Sequence, residues 1–423
     1  MTHTLIPDLD EKIFLHVLNL KNTPAVSNAL DITFNEVDFS MQEQIDLCEI
    51  PAPTFEEATR ANEIVQRMKQ YGLTDVHIDE IGNVIGRRPG KKNGPVLAIG
   101  AHMDTVFPAG TNVKVRQEGQ RYYAPGIGDN SSGLRAILQV IRSLNQAHIE
   151  TAGDLIFIGT VGEEGNGDIR GSKYFNKSNH VDGFLAVDNT DVGRILRGAV
   201  GSHRWRISID GPGGHSFASF GQVPSAIHAM CLAGARLAHI KVPSEPKTTF
   251  TIGTIRGGTS VNTIAPHCEV DVDIRSLDND ILLEIESTIL NCFEDAIEEE
   301  NRIWNIQDEK FQLKLTKTAI GDRPAGLRPD NCPVLQASRS AQKALGIPLT
   351  NYGFSSTDAN MPVSMGIPAT CLSAGGAQYL THSVKEYFDK IDIHLGPQLI
   401  LLTALALVGT AEFPPVLPVF HES

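Results

Sequence analysis

The chain has 423 residues and a formal net charge of −14, because 50 acidic residues outnumber 36 basic ones. The length favours two or three domains, and 41% hydrophobic with 20% charged residues is typical of a globular protein. The acidity argues against a general nucleic-acid binder, which needs a basic surface. The six cysteines are scattered without a CxxC motif, which favours free thiols in a reducing compartment over disulfides or a thiolate zinc site.

Neither terminal region has the pattern of a membrane or secretion segment. The first twenty residues carry acidic side chains where a signal peptide would be basic. The apolar run LILLTALALV (399–408) is too short to span a bilayer and predicts a buried helix. These patterns predict a cytoplasmic protein with no membrane contact.

From residue 53 to 198, and again after about residue 320, short apolar runs alternate with amphipathic stretches. Continuous apolar runs predict strands that are buried on both faces, and apolar residues at helical spacing predict helices. The predicted strands are 95–100, 154–161, 183–188 and 367–373, and the predicted helices are 131–146, 333–345 and 396–410. This alternation predicts an α/β domain with a mostly parallel sheet.

The middle of the chain has a different pattern, in which polar and apolar residues alternate along the strands. Its elements are strand 203–211, helix 224–240, strands 248–258 and 266–276, helix 280–302 and strand 311–319. The order βαββαβ predicts a ferredoxin-like fold. We therefore predict an α/β domain of residues 1–200 and 318–423, interrupted by an inserted α+β domain of residues 201–317. The first 35 residues fit neither pattern and are predicted to be an extension with one or two helices.

Ionisable residues stand at five places near the ends of predicted strands. They are His102 and Asp104 after the first strand, Asp129 in a glycine-rich turn before helix 131–146, Glu163 and Glu164 after the second strand, Asp188 after the third, and His382 in the loop after strand 367–373. Because parallel strands end at one edge of a sheet, we expect these residues to line one crevice. Each residue alone is more often structural, as a helix cap or a solvated charge.

Several carboxylates that converge on one crevice repel one another unless cations neutralise them. Two histidines with three or four carboxylates are suitable ligands for a pair of divalent ions. This donor set favours Zn²⁺, with Co²⁺ or Mn²⁺ as substitutes.

The five motifs HMDTVFPAG, GIGDNSSG, GTVGEEGNGDIRGSKYF, VDN and THSVKEYF, in this order, resemble the dinuclear zinc exopeptidase and deacylase family. That family includes peptidase T, carboxypeptidase G, acetylornithine deacetylase and aminoacylase. The resemblance covers nearly the whole chain from about residue 45. It implies an α/β/α catalytic domain interrupted by a ferredoxin-like dimerisation (lid) domain, and hence a homodimer that forms through residues 201–317.

The resemblance also implies two Zn²⁺ ions in each subunit and a ligand set for them. Asp129 would bridge the two ions. His102 and Asp188 would complete one site, and Glu164 and His382 would complete the other.

Two further residues gain catalytic roles from the resemblance. Glu163 would be the general base, which takes a proton from the attacking water and passes it to the leaving nitrogen. Asp104 would orient the ring of His102 toward the metal. The resemblance further implies a cis peptide bond between Asp129 and Asn130.

The inserted domain contributes His215 in GPGGHS, Asn262 in SVNTIAP and Arg275 in DVDIRS. By resemblance, His215 reaches the active site of the partner subunit and stabilises the oxyanion, while Asn262 and Arg275 bind the backbone or carboxylate of the substrate. The alternative is structural: His215 closes a glycine turn and Arg275 pairs with a neighbouring acid. Gly375 and Gly376 are expected to let a substrate backbone approach closely.

We expect a two-zinc hydrolase that removes a residue from short peptides, as an aminopeptidase, tripeptidase or dipeptidase does. Two departures bear on the substrate: Asp188 replaces the Glu of some relatives, and Ser355 and Ser356 replace a frequent glycine pair. The alternatives are a deacylase of N-acyl amino acids, a carboxypeptidase, and a non-catalytic protein that binds amino acids or metal. The presence of Glu163 argues against the last alternative, since a binding protein needs no base.

Overall fold

The computed structural model describes residues 6–419, which form two compact units. The first unit contains the described residues up to Ala199 and from Leu327 onward, and the second is Val200–Gly326. The second boundary lies beyond residue 317 because the last strand of the inserted unit continues to Arg323. The first five and last four residues of the predicted α/β domain lie outside the described residues.

The helices and strands of the two units follow one another in this order. Before the inserted unit come α1 (Glu11–Lys21), α2 (Pro24–Asn35), α3 (Val37–Cys48), α4 (Ala58–Gln70), β1 (Thr74–Ile78), β2 (Val84–Arg88), β3 (Val96–His102), β4 (Arg116–Glu118), β5 (Arg121–Tyr123), α5 (Ser131–Gln146), β6 (Asp154–Thr160), α6 (Arg170–Ser178), β7 (Gly183–Val187) and β8 (Arg194–Ala199). The inserted unit contains β9 (Gly201–Asp210), β10 (Gly214–His215), α7 (Ala226–Leu237), β11 (Thr248–Gly257), β12 (Thr263–Ile264), β13 (His267–Ser276), α8 (Asn279–Ile303) and β14 (Lys314–Arg323). After it come β15 (Gly326–Leu327), α9 (Pro333–Ala344), β16 (Asn351–Ser355), α10 (Asn360–Ser364), β17 (Ala369–Leu372), β18 (Ala377–Tyr379), β19 (Tyr387–Asp389) and α11 (Leu395–Val408).

A six-stranded sheet in the order β1-β2-β6-β3-β7-β17 forms the centre of the first unit. Its neighbours from β6 to β17 are parallel, and β1 and β2 form an antiparallel edge. Alternate residues of β3 enter different cores: Leu97 and Ile99 pack with Leu401 of α11, while Ala98 packs with Phe175 of α6. Helices therefore cover both faces of the sheet, which confirms the predicted α/β/α architecture.

The N-terminal region forms two helices, and both belong to the main core. Val17 and Leu20 of α1 and Val26 of α2 are buried in the same hydrophobic cluster as α5, α9 and α11. This region therefore completes the first unit and is more than an appended extension.

Helix α11 contains the apolar run near the C-terminus. Its residues Leu399–Val408 are buried against the sheet and α5, as the run predicts. Within residues 6–419, no helix is both long and apolar enough to cross a membrane.

The inserted unit is an antiparallel sheet in the order β11-β13-β9-β14 with α7 and α8 packed on it. Its core includes Ile207 of β9, Val270 of β13, Met230 of α7 and Phe293 of α8. The order βαββαβ is the predicted ferredoxin-like one. A short ribbon of β10 and β12 pairs His215 with Thr263.

Candidate metal and catalytic site

The carboxyl ends of three parallel strands carry ionisable side chains to one place in the first unit. His102 is the last residue of β3, Glu163 and Glu164 follow β6, and Asp188 directly follows β7. Two more segments reach the same place. Asp129 precedes the N-cap of α5, and His382 lies in the loop between β18 and β19.

Asp129 lies between the two histidines and offers one carboxylate oxygen to each. Its Oδ1 is 3.1 Å from Nε2 of His102, and its Oδ2 is 3.1 Å from Nε2 of His382. Nε2 of His382 is also 3.0 Å from Oε1 of Glu164. One carboxylate is thus shared between two sets of donor atoms.

Three groups of side chains in the described part of the chain place their donor atoms within 4.8 Å of one another. They are His102, Asp129 and Asp188; Asp129, Glu164 and His382; and His102, Glu163 and Glu164. Nε2 of His102 and Oδ1 of Asp129 are buried and lack a hydrogen bond of good geometry, although they lie close together. Such orphaned donor atoms, all imidazole nitrogen or carboxylate oxygen, fit a pair of divalent cations.

The electrostatics of these residues reflect carboxylates crowded beside histidines. Burial and the neighbouring Asp129 raise the pKa of Asp188 to about 6. Burial disfavours the charged form of Asp129, yet the close contacts with His102 and His382 outweigh it and lower the pKa of that carboxyl. Hydrogen bonds to Asp129 and Glu164 raise the pKa of His382 to about 10. Positive charge at this place is therefore strongly favoured.

Asp104 is fully buried and holds three parts of the site together. Nδ1 of His102 lies 3.0 Å from the backbone carbonyl of Asp104, which directs Nε2 toward Asp129. The Asp104 carboxylate accepts hydrogen bonds from the backbone N–H groups of Glu163 and Glu164, each at 2.9 Å, and from the hydroxyl of Thr54 at 2.9 Å.

The turn that carries Asp129 is fixed to the sheet and to α5 by Asn130. The Asn130 side chain donates to the carbonyl of Val187 at 2.8 Å and accepts from the N–H of Gly133 at 3.0 Å. The Asp129–Asn130 peptide bond is cis, as the resemblance implies.

Glu386 is a buried residue of this region that the sequence did not single out. Its carboxylate accepts hydrogen bonds from the backbone N–H groups of Gly126, Gly128 and Asp129. Burial raises its pKa to about 7, even though these N–H groups favour the charged form. Its place four residues after His382 was the only available signal, and a Glu in a polar loop does not by itself indicate burial.

Two glycines after β17 have conformations that suit glycine alone. Gly375 and Gly376 have φ of 80° and 91°. A Cβ on Gly376 would lie 2.1 Å from the ring of Phe388, and one on Gly375 would lie 2.9 Å from the carbonyl oxygen of Ile393. Packing within the unit already requires glycine at both positions, so their contact with substrate stays a prediction.

The inserted unit brings His215 and Asn262 together at the ribbon of β10 and β12. The N–H of Ser216 donates to the carbonyl of Asn262 at 2.9 Å. Nδ1 of His215 accepts from the N–H groups of Phe217 and Ala218, so this ring does close its turn. With Nδ1 as acceptor, the hydrogen of a neutral ring is on Nε2.

Arg275 lies at the other end of this unit. It is the penultimate residue of β13, whereas the ribbon of β10 and β12 lies beyond the first residue, His267. Arg275 is eight positions after His267 along the strand, a distance of about 26 Å. Nε of Arg275 donates to Asp273 at 2.7 Å, the pairing with a neighbouring acid that the structural alternative predicts.

Known proteins resemble this chain in both sequence and fold. A model of the family described as peptidase family M20/M25/M40 matches residues 98–406. The uncharacterized protein YqjE of Bacillus subtilis (strain 168) is 26% identical over 367 residues, which are 83% of this chain and 94% of that protein.

Two solved structures have the same fold. The aminopeptidase PepT of Bacillus cereus ATCC 10987 aligns with a TM-score of 0.72 at 22% identity, over 87% of this chain and 97% of that one. The YXEP protein of Bacillus subtilis, a dinuclear metal binding peptidase from the M20 family, aligns with a TM-score of 0.66 at 18% identity, over 88% of this chain and 99% of that one.

Proposed function

The chain belongs to peptidase family M20/M25/M40, a family of metal-dependent hydrolases, and from that premise we propose a two-zinc exopeptidase of short peptides. An aminopeptidase, tripeptidase or dipeptidase activity is proposed. The observation that carries the proposal is the carboxylate of Asp129, which is shared between two donor sets, with Glu163 close to His102 and Glu164 of those sets. The description of the YXEP protein as dinuclear supports two ions, and the imidazole and carboxylate donors support zinc.

The proposed ligands divide between the two ions. His102 and Asp188 would hold one ion, Glu164 and His382 would hold the other, and Asp129 would be a ligand of both. Bound divalent cations supply Lewis acidity, which polarises the scissile carbonyl and makes water a better nucleophile.

Glu163 is the proposed general base. It is a buried carboxylate whose backbone is fixed by Asp104, and it lies within reach of His102 and Glu164. It takes a proton from the attacking water and delivers it to the leaving nitrogen, a transfer that requires a carboxylate not occupied as a ligand.

The positions of His215, Asn262 and Arg275 support a homodimer through the inserted unit. A tripeptide spans only about 10 Å, so it cannot contact both ends of β13 in one subunit. His215 and Asn262 of one protomer therefore serve the active site of its partner, and Arg275 binds the substrate carboxylate. The Nε2–H of His215 then donates to the oxyanion.

Substitution of the proposed base tests the proposed function. Glu163→Gln should abolish turnover and leave about two zinc ions per subunit, because the amide cannot accept the proton. Glu164→Gln is the matched control, and it should lose zinc because a ligand is changed. Turnover and metal content are measured for both variants. Turnover retained in Glu163→Gln contradicts the mechanism.

A substrate panel separates the peptidase from its alternatives. The zinc-loaded protein should cleave dipeptides or tripeptides and release the N-terminal residue. Cleavage of N-acetyl amino acids alone would identify a deacylase, and release of the C-terminal residue from longer peptides would identify a carboxypeptidase. Binding without any cleavage would identify the non-catalytic protein.

The free thiols of all six cysteines support the proposed cytoplasmic location.

A further inference from the structure

Glu386 is a buried carboxylate that belongs to none of the three donor groups of the described residues. It is 1% exposed. One oxygen accepts from the N–H groups of Gly128 at 2.9 Å and Asp129 at 3.1 Å, and the other accepts from the N–H of Gly126 at 2.8 Å. Hydrogen bonds from N–H groups to a carboxylate are among the strong ones in proteins. Glu386 thus binds three backbone N–H groups of the turn that ends in Asp129.

Two carbonyl groups of the same turn are held by hydroxyls of α5. Ser131 donates to the carbonyl of Gly126 at 2.7 Å, and Ser132 donates to the carbonyl of Gly128 at 2.6 Å. A Cβ on Gly128 would lie 3.1 Å from the carboxylate of Glu386, so the turn and the carboxylate are in close contact. The turn has little freedom to move unless these bonds break.

We propose that Glu386 is a positioning residue that sets the separation of Asp129 and His382. It is on the same chain segment as His382, four residues later, and it binds the turn that carries Asp129. Glu386 therefore connects the turn of Asp129 to the loop of His382, although the two segments lie far apart in the sequence. Oδ2 of Asp129 and Nε2 of His382 are 3.1 Å apart. This inference rests on the proposed function, which makes both residues ligands of one ion.

Glu386→Gln tests this role with an almost unchanged shape. The amide keeps one oxygen for two of the donors, but its NH₂ group then faces the third N–H group. We expect zinc affinity to fall about 10- to 100-fold, as on loss of other groups that orient ligands. Zinc content after dialysis against buffered free zinc measures this directly. Excess zinc should restore kcat with little change in KM.

Asp182→Asn is the matched control. Asp182 is another buried carboxylate that accepts a backbone hydrogen bond, from the N–H of Val96 at 2.7 Å, but it lies where β3 and β7 begin, away from the site. It should lower the Tm and leave zinc affinity unchanged. Wild-type zinc affinity in Glu386→Gln, or an equal loss in Asp182→Asn, would overturn the proposal.

A smaller change in the same turn provides a second test in case Glu386→Gln does not fold. Ser132→Ala removes one hydroxyl that holds the carbonyl of Gly128 and should weaken zinc binding less than Glu386→Gln does. If Glu386→Gln does not fold, unchanged zinc affinity in Ser132→Ala counts against the role of the turn. Failure of the proposed function would appear in the wild-type protein, as fewer than two zinc ions or no hydrolysis, whatever the variants do.

Discussion

At the scale of single residues, Asp104 connects the proposed base to two of the proposed ligands through hydrogen bonds. It holds the backbone of both Glu163 and Glu164, and its backbone carbonyl orients His102. Burial raises the pKa of Asp104, but the neighbouring His102 and the hydrogen bonds from these N–H groups outweigh it and lower that pKa. The carboxylate is therefore charged, and it supports the backbone of the proposed base Glu163 and of the proposed ligand Glu164.

Asp104→Asn should reduce kcat or zinc affinity about 10- to 100-fold, because one of its oxygens becomes an NH₂ group that faces a backbone N–H. Steady-state kinetics and zinc content after dialysis measure both effects. Thr54→Val is the control, since it removes only one of the three donors to Asp104 and should have a much smaller effect. Equal effects of the two substitutions would show that the carboxylate has no special role.

The sequence could predict site residues only where they stand at positions that recur in α/β folds, such as the ends of strands. Strand ends and a glycine-rich turn indicated His102, Asp129 and Asp188, and the structure brings them together. The role of Glu386 could not be predicted, because its partners are backbone N–H groups and these leave no pattern in the side-chain sequence.

At the scale of elements, the N-terminal helices differ most from the expectation of an extension. Leu20 of α1 is buried in the main core, whereas Leu15 of the same helix is 48% exposed. The sequence of the first 35 residues predicted one or two helices but could not predict what covers their apolar side chains, since α9 and α11 lie more than 300 residues away in sequence.

Leu20→Ala should lower the free energy of unfolding by about 2–5 kcal/mol, as cavity-forming substitutions do. Leu15→Ala in the same helix should change it by less than about 0.5 kcal/mol, because that side chain is largely in solvent. Denaturant unfolding of the two variants gives the comparison. A similar small effect of both would mean that α1 contributes little to the core.

Some of the long elements were predicted closely, although α3 and α4 were not predicted. Helix 131–146 was predicted with the bounds of α5, and β13 differs from its prediction by one residue. The strands β4, β5, β18 and β19 were missed because each has three residues, too few for any period to appear. Their sheet holds the segment on both sides of the His382 loop.

At the scale of the whole molecule, the proposed trans role of His215 can be tested by mixing two inactive chains. Glu163→Gln lacks the base and His215→Ala lacks the oxyanion donor, so each homodimer should be impaired in both of its sites. In a heterodimer, one site combines an intact Glu163 with the intact His215 of the other chain. Co-expression should therefore restore up to about a quarter of wild-type activity, since half of the dimers are mixed and half of their sites are complete.

Two results would contradict this arrangement. A co-expressed mixture no more active than its separate parts would place His215 in its own subunit's site. A monomeric mass in solution with full activity would remove the dimer altogether. His228→Ala, which changes an exposed histidine of α7 in the same unit, is the control for nonspecific effects and should remain active.

The length of β13 has a consequence for how the protein behaves in solution. Because one subunit places His215 and Arg275 at opposite ends of this strand, a complete centre under the proposed arrangement contains groups from two chains. The fraction of complete centres then depends on the protein concentration. Specific activity should decline when the protein is diluted below the dissociation constant of the dimer. Dilution alone would therefore inactivate the isolated protein, without an inhibitor.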